Sequence, residues 1–358
     1  MDPSARPFII PVFLPHLGCP HRCVFCNQTV VTGRPPEKAD IKGIESLIRS
    51  FLSYKGPGRR MTQIGFYGGN FLGLDEGAMR SMLRVASKFV AAGLADSVRL
   101  STRPDTVTPS TLEVLREFPV STVEVGAQSM DDGVLEMSCR GHSSSDTVDA
   151  VVLLKEYGYR VGVQMMVGLP GEDRDSSADT AGFIADLQPD FVRIYPTLVL
   201  EGSSLASWYR DGRYRPLSLK EAVSRVKECY LVFAERSIAV IRMGLQISEG
   251  FRQAPGLLAG PYHPSFGHMV YSEVFLDKAA RILESWESPA AVRVKVHPRC
   301  LSRMTGLNNR NRRVLARRFR LRSVRIIPDP TLGENDLIIA QDTASGRHAR
   351  SRGTRRML

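Results

Sequence analysis

The sequence lacks long apolar runs and has few cysteines for its length. None of its 358 residues lie in a run of the ~18 apolar residues that a membrane-spanning helix needs. The first seven residues have no apolar core and no basic leader, so we expect no secretion signal and a cytoplasmic protein. Six cysteines are too few for a disulfide scaffold. We therefore expect neither a membrane-spanning protein nor a secreted disulfide-rich one.

Acidic residues are missing from one part of the chain. The formal net charge is +11, and residues 281–358 hold 18 Lys or Arg against 6 Asp or Glu. From Arg299 to Arg325 there are ten arginines, no lysine and no acid. Because arginine binds phosphate in a bidentate manner, this segment indicates an RNA partner, with a solvated helix face as the alternative. Phe319 is the sole aromatic residue there, so phosphate contact is favoured over base stacking.

Three of the six cysteines are clustered within eight residues. Cys19, Cys23 and Cys26 have the spacing C-x3-C-x2-C, and soft thiolates of this kind suit zinc or an iron–sulfur cluster. The remaining cysteines are isolated, and we expect them to be buried small side chains: Cys139, Cys229 and Cys300.

The number of cysteines in the motif favours a cluster over a structural zinc site. A structural zinc ion takes four protein ligands, and the fourth would have to be His16, His21 or a distant residue. A cubane cluster held by three cysteines leaves one iron open to a small molecule. An open iron is useful for chemistry and does nothing for stability alone.

Apolar strands alternate with helices over the first 200 residues. This alternation predicts an α/β fold with a parallel sheet and right-handed crossovers. A complete barrel has eight units, whereas six strands are counted before the pattern changes: Phe8–Leu14, Gln63–Tyr67, Ser97–Ser101, Thr122–Val125, Arg160–Val167 and Phe191–Tyr195.

The pattern after residue 200 predicts a second, smaller part of the chain. Ala239–Met243 is predicted to be a further strand, and a small α+β module with a basic helix follows it. We expect a barrel over residues 1–240, the basic module over 241–341, and a disordered basic tail over 342–358.

The cysteine motif, with Phe25 just before its last cysteine, resembles the signature of the radical S-adenosylmethionine (SAM) superfamily. The resemblance implies a partial (β/α)6 TIM-like barrel of the radical SAM type, to which the small C-terminal α+β module is appended. It implies a [4Fe-4S] cluster on Cys19, Cys23 and Cys26, whose open iron binds SAM, and a reduced electron donor of the flavodoxin or ferredoxin type. In that family one electron cleaves SAM to a 5′-deoxyadenosyl radical, which abstracts a hydrogen atom.

Polar residues at the predicted strand ends are the ones that the resemblance assigns to SAM. Gly68, Gly69 and Asn70 resemble a Gly-Gly-Glu element, with Asn70 in place of the usual Glu, so that backbone carbonyls would contact the SAM amino group. Tyr195 ends the sixth strand and is the candidate catalytic residue on the substrate side. The other implied cofactor contacts are Phe25, Ser101, Arg103, Gln128, Arg140 and Gln164.

The same strand ends resemble one branch of the superfamily, which contains the catalytic subunit of Elongator, a wobble-uridine tRNA-modifying enzyme. We expect no acetyl-CoA chemistry, because nothing after residue 300 is long enough for the acetyltransferase domain of those subunits. Two alternatives remain open. One is a non-catalytic nucleic-acid-binding protein with zinc or redox-sensing cysteines. The other is a radical SAM enzyme that acts on a small molecule, such as a tetrapyrrole or lipid.

Overall fold

The computed structural model describes residues 7–32, 40–54, 61–245, 256–287, 290–342 and 356–357. The chain divides into two compact units, Met1–Pro264 and Ser265–Leu358. The domain boundaries expected from the sequence remain a prediction.

Seven parallel strands form the main sheet of the first unit. All six predicted strands are present, and the strand over Ala239–Met243 pairs with the sixth as a seventh member of the sheet. A separate antiparallel pair consists of the seventh and ninth strands of the chain. In chain order the strands are β1 (Phe8–Phe13), β2 (Thr62–Tyr67), β3 (Ser97–Thr102), β4 (Val120–Gln128), β5 (Arg160–Val167), β6 (Phe191–Pro196), β7 (Val199–Leu200), β8 (Ala239–Met243) and β9 (Leu257–Ala259).

The main sheet is an open partial barrel with the order β1-β2-β3-β4-β5-β6-β8. Its central strands carry apolar residues on one face, whereas the opposite face holds polar residues such as Arg99, Glu124 and Gln164. On the apolar face Leu100, Val123, Val125 and Val161 are all fully buried. These buried apolar positions explain why the strands were recognisable in the sequence.

Helices return the chain from one parallel strand to the next. Side-chain caps fix several of their starts, such as Asp75, which accepts from the amide of Ala78, and Ser143, which forms a capping box with Asp146. The helices of this unit are α1 (Gln28–Thr32), α2 (Ile41–Ser53), α3 (Glu76–Ala91), α4 (Pro109–Arg116), α5 (Asp132–Met137), α6 (Ser144–Glu156), α7 (Arg174–Asp186), α8 (Ser204–Arg210) and α9 (Leu219–Glu235).

The second unit is the predicted α+β module. Its sheet has the order β11-β10-β12-β13, in which β10 and β11 are parallel and the other pairs antiparallel. The elements are α10 (Phe266–Glu284), β10 (Ala291–Val296), α11 (Leu301–Thr305), α12 (Arg310–Arg318), β11 (Ser323–Pro328), β12 (Leu337–Gln341) and β13 (Arg356–Met357).

The core of the second unit lies between its helices and its sheet, with Phe275, Val294, Leu315 and Ile339 among its buried residues. Of the tail predicted to be disordered, residues 343–355 and 358 lie outside the described residues, whereas Arg356–Met357 pair with β12. Within the described ranges, no helix has the length and apolarity needed to cross a membrane.

Candidate active site

The carboxyl ends of the strands in the first unit open into a cavity of about 690 Å³. Because parallel strands end at the same edge of a sheet, residues that follow different strands converge there. All three cysteines of the motif line this cavity. So do the candidate Tyr195 and nearly all of the residues that the resemblance assigned to SAM, namely Phe25, Gly68, Gly69, Ser101, Arg103, Gln128, Arg140 and Gln164.

The three cysteines lie on the loop between β1 and α1. Cys23 is buried, and Cys19 and Cys26 are half-buried. Two tight turns shape the loop: the Cys26 amide donates to the Cys23 carbonyl over 3.0 Å, and the Cys19 amide donates to the His16 carbonyl over 3.3 Å. These local turns bring the three thiols to one wall of the cavity.

Two glycines allow the cysteine loop to approach the end of β2. Gly18 has a φ of +70°, and a Cβ atom there would lie 2.2 Å from the carbonyl oxygen of Asn70. A Cβ atom on Gly69 would lie 2.3 Å from the carbonyl oxygen of Leu17, which accepts from the Asn70 amide over 2.8 Å. Side chains at either position would separate the loop from the strand.

The side chain of Asn70 braces the loop and does not line the cavity. It is fully buried, and its Nδ2 donates to the Gly18 carbonyl over 2.9 Å. Its Oδ1 accepts from the hydroxyls of Thr102 and Thr106 and from the amide of Arg103 over 2.7, 2.9 and 3.0 Å. The structure therefore ties this side chain to the cysteine loop and the end of β3, whereas the contact that the resemblance implied, through backbone carbonyls, stays a prediction.

The cysteine loop disfavours free thiolates unless cations compensate them. Burial raises the pKa of Cys19, and the charge of Cys23 adds to this effect. Burial, followed by the charges of Cys23 and Cys19, raises the pKa of Cys26 to about 12. Arg140 opposes both shifts, and its Nη1 donates to the Cys23 sulfur over 3.1 Å. A bound metal would supply the further positive charge that three thiolates need.

Two buried arginine nitrogens beside the cysteines have no hydrogen-bond partner among the residues that the structure describes. They are Nη1 of Arg103 and Nε of Arg140, although Arg103 also pairs with Asp105 over 2.8 Å. A buried donor without an acceptor is costly, so these atoms indicate an anionic ligand. The residues therefore fit the implied groups, because thiolates suit iron and guanidinium groups suit a carboxylate.

The same donor set does not suit a single metal ion. Across the described ranges, no three His, Cys, Asp or Glu side chains are grouped closely enough to hold one ion. A cubane cluster is larger than an ion and takes its cysteine ligands farther apart. His16, a candidate fourth zinc ligand, already accepts from the Gln28 amide at its Nε2 over 3.0 Å.

Two further predicted residues meet at the cavity wall. Gln164 interrupts the apolar strand β5, and its Nε2 donates to Oε1 of Gln128 over 3.1 Å. Phe25 and Tyr195 both pack against the apolar cluster of Val134, Met166 and Leu169. The aromatic residue of the cysteine motif and the candidate catalytic tyrosine thus border the same cluster.

A buried charge network lies beside these residues and was not identified from the sequence. Arg99 Nη2 and Arg193 Nε each lie 2.6 Å from the Glu124 carboxylate. Tyr67 also donates its hydroxyl to this carboxylate over 3.2 Å, and Arg193 donates to the Tyr195 hydroxyl over 3.3 Å. Burial, with the charge of Glu124, raises the pKa of Tyr67 to about 12, so its phenol stays neutral.

The sequence feature that could have revealed this network is a charged residue within each of three otherwise largely apolar strands, namely Arg99, Glu124 and Arg193. They lie on β3, β4 and β6, which are not all adjacent, so no local pattern pairs them. From the sequence alone, the polar residues within Glu124–Ser129 could be explained by a bound polar ligand. The structure shows instead that Glu124 is satisfied by protein side chains.

One expectation about the isolated cysteines is wrong. Cys139 is exposed, whereas Cys229 and Cys300 are buried as predicted. Cys139 follows α5 in a turn with a φ of +52°, so its side chain leaves the helix before it reaches the core.

Two family descriptions match the chain. Residues 13–184 match the radical SAM superfamily, and residues 189–275 match the radical SAM C-terminal domain. The first match includes the cysteine loop and strands β2–β5, and the second begins just before β6.

Relatives and a solved structure agree with these matches. A tRNA uridine(34) acetyltransferase of Dehalococcoides mccartyi (strain CBDB1) is 27% identical over 234 residues, which are 56% of this chain and 50% of the relative. An uncharacterized protein of Methanocaldococcus jannaschii is 30% identical over 232 residues, which are 61% of this chain and 70% of that protein.

The fold is also found in an archaeal Elp3. The structure of Elp3 from Methanocaldococcus infernus, with an N-terminal deletion, has a TM-score of 0.57 at 21% identity and covers 76% of this chain and 63% of that chain. The chain spans about half the length of the acetyltransferase relatives that it matches. The family matches and the relatives show that this chain is an enzyme of the radical SAM superfamily.

Proposed function

We propose that this enzyme binds one [4Fe-4S] cluster through Cys19, Cys23 and Cys26, binds SAM beside it, and modifies a tRNA. The observation that carries the cofactor proposal is the meeting of three thiols with the unpaired nitrogens of Arg103 and Arg140 around one cavity. When bound, the cluster would supply the electron for reductive cleavage of SAM, which is the source of the radical chemistry of this superfamily.

The residues of this chain bind and orient the cofactor. Arg140 pairs with the SAM carboxylate, because its Nε is buried without an acceptor in the described structure. Backbone carbonyls of the Gly68-Gly69 pair accept from the SAM amino group. The side chains that contact the ribose and the methionine portion are Ser101, Arg103, Gln128 and Gln164, all of which line the cavity.

Tyr195 is the proposed catalytic residue on the substrate side. Arg193 donates to its hydroxyl over 3.3 Å, so the phenol oxygen is held in place and its proton is free to be donated to the substrate. Y195F keeps the ring against the apolar cluster of Val134, Met166 and Leu169 and removes the hydroxyl. We expect substrate modification to fall by about 100-fold or more, the usual contribution of a proton donor.

The second unit carries a surface suited to the phosphates of RNA. Ten arginines lie between Arg299 and Arg325. Four of them pair with acids: Arg299 with Glu334, Arg310 with Glu273, Arg318 with Glu284 and Arg325 with Asp342. Four others are exposed and have no acidic partner within the described residues, namely Arg313, Arg317, Arg320 and Arg322.

The difference between paired and unpaired arginines bears on the two interpretations of the basic segment, a solvated helix face and an RNA partner. The paired arginines are explained by folding alone, and the unpaired ones favour a polyanion. The name of the relatives supports tRNA as that polyanion. The free cysteines suit a reducing compartment, which supports a cytoplasmic location with a flavodoxin or ferredoxin as electron donor.

Two measurements test the proposed substrate. The double variant R313Q/R317Q should weaken tRNA binding. It should also reduce the magnitude of the slope of log K against log [salt] by about two, because two phosphate contacts are lost. R310Q/R318Q, which removes two ion-paired arginines, is the matched control and should change the slope far less.

The second measurement compares tRNA nucleosides from cells with and without the gene. Loss of a modified nucleoside supports the proposal. Unchanged tRNA together with an altered small metabolite overturns the tRNA substrate, and zinc without sulfide in anaerobically purified protein overturns the cofactor assignment.

A further inference from the structure

The two edge strands of the open sheet bring an aromatic ring and a cation to the same cavity. β1 and β8 are the first and last strands of the sheet and do not pair with each other. Phe13 ends β1, Arg242 lies on β8, and both line the cavity. The side of the cavity between these strands therefore has no wall of paired strands, and its lining there includes Val31 of α1 and Leu245 after β8.

Phe13 offers a flat apolar surface to the cavity. Its side chain is 42% exposed, although it lies on a strand whose apolar residues are otherwise largely covered. Its ring lies 6.3 Å from that of Tyr67, with an interplanar angle of 42°. Tyr67 is itself held by its hydrogen bond to Glu124 and by the Arg193 guanidinium 5.4 Å from its ring centroid. A firmly supported, exposed ring of this kind suits stacking by a planar ligand.

Arg242 brings a positive charge that no acidic side chain of the described residues neutralises. The neighbouring cations Arg99 and Arg193 share the carboxylate of Glu124. Arg242 lies opposite Arg193 in the pairing of β6 with β8, is half-buried, and has no acidic partner in the part of the chain that the structure describes. Three guanidinium groups thus accompany one carboxylate, and an anionic ligand group would balance the excess.

We propose that Phe13 and Arg242 form a nucleotide subsite, in which the base stacks on Phe13 and the phosphate pairs with Arg242. The inference rests on the proposed function, in which the substrate is an RNA, and it specifies how one residue of that RNA is held. Arginine is suited to this role because its planar fork can bind two phosphate oxygens at once.

Binding of small probes to the reconstituted holoenzyme tests the subsite without requiring turnover. Uridine 5′-monophosphate, uridine and inorganic phosphate are titrated by equilibrium dialysis under anaerobic conditions. R242Q should weaken binding of the nucleotide by about tenfold, as loss of a charged hydrogen bond does, and leave uridine binding unchanged. R242K, which keeps the charge, should recover part of the affinity, and F13L should weaken both nucleotide and nucleoside.

The control is R236Q, which removes an exposed arginine that pairs with Asp186 over 2.6 Å and does not line the cavity. It should bind every probe as the wild type does. The subsite is overturned if wild-type protein does not bind the nucleotide, if R242Q binds it equally well, or if inorganic phosphate alone competes as strongly as the nucleotide.

Failure of this inference is distinguishable from failure of the proposed function. Formation of 5′-deoxyadenosine by wild-type protein is measured first, without any substrate. If none forms, the cofactor proposal fails. If 5′-deoxyadenosine forms but binding of the nucleotide does not depend on Arg242, only the proposed subsite is wrong.

Discussion

Arg140 Nη1 donates a hydrogen bond to the sulfur of Cys23 across 3.1 Å. Its Nη2 donates to the carbonyl of Gly126 at the end of β4 over 2.6 Å, while its Nε is buried without a partner among the described residues. One guanidinium therefore joins the end of a strand to a proposed cluster ligand and retains a donor for SAM.

Arg140→Gln should weaken SAM binding by at least ~10-fold, because a buried charged hydrogen bond to the carboxylate is lost. Arg140→Lys should lie between this variant and the wild type, since lysine keeps the charge but not the fork. Dissociation constants from equilibrium dialysis measure the effect, with the exposed Arg49→Gln as control. Wild-type affinity in both Arg140 variants would contradict the proposed role.

Reconstituted wild-type protein should contain about four irons and four sulfides per chain. Replacement of Cys19, Cys23 or Cys26 by alanine should each reduce this content severely, because no other thiol lines the cavity. Cys139→Ala is the control, since this cysteine is exposed and lies outside the cavity lining. Iron and sulfide analysis with the visible spectrum provides the measurement. Equal loss from the Cys139 variant would argue against the assignment.

Asn70→Ala should lower the free energy of unfolding by about 2–4 kcal/mol, because several buried donors lose their common acceptor. Those donors include the hydroxyls of Thr102 and Thr106. Urea unfolding under anaerobic conditions measures the change, and the exposed Asn335→Ala serves as control. A variant of unchanged stability that fails to bind SAM would instead make Asn70 a cofactor contact.

Glu172 should make the first unit less stable as the pH rises. It accepts from the Gly168 amide over 2.6 Å, and burial raises its pKa from the ordinary 4.5 to about 7. Between these values the folded protein binds more protons than the unfolded chain, so the free energy of unfolding falls with increasing pH until the pH exceeds the folded pKa.

This contribution should be about 2 kcal/mol between pH ~5.5 and pH ~8, because one pKa unit corresponds to 1.36 kcal/mol. Glu172→Gln keeps the hydrogen-bond acceptor and removes the titration, so it should gain stability relative to wild type at the higher pH. Urea unfolding at both pH values measures the difference between the two proteins. A constant difference would show that Glu172 does not titrate in this range.

The strands and the convergence of the site residues could be predicted from the sequence. Strands such as β4 and β5 carry buried apolar residues at alternate positions, and their alternation with helices implies a parallel sheet whose carboxyl ends share one edge. The cavity lining contains Cys19, Arg140 and Tyr195 for this reason. The pairing of β8 with β6 depends on long-range contact, so the sequence indicated a strand there without its place in the sheet.

Side-chain partners far along the chain could not be predicted in the same way. The contact of the Gly68-Gly69-Asn70 backbone with SAM stays a prediction, but the partners of the Asn70 side chain, in the cysteine loop and at the end of β3, could not be derived from its position after β2. Glu124 lies on β4 and is neutralised by Arg99 and Arg193 from β3 and β6. The polarity of Asn70 and Glu124 indicated that each has a polar partner. Only the fold shows that other residues of the protein are those partners.

Formation of 5′-deoxyadenosine tests the central claim most directly. Anaerobically reconstituted protein is incubated with SAM and dithionite, and the product is quantified by chromatography with mass detection. We predict 5′-deoxyadenosine from wild-type protein and a loss of at least ~100-fold in a variant without Cys19, Cys23 and Cys26, because no electron then reaches SAM. Absence of the product from wild-type protein with a full complement of iron and sulfide would contradict the assignment.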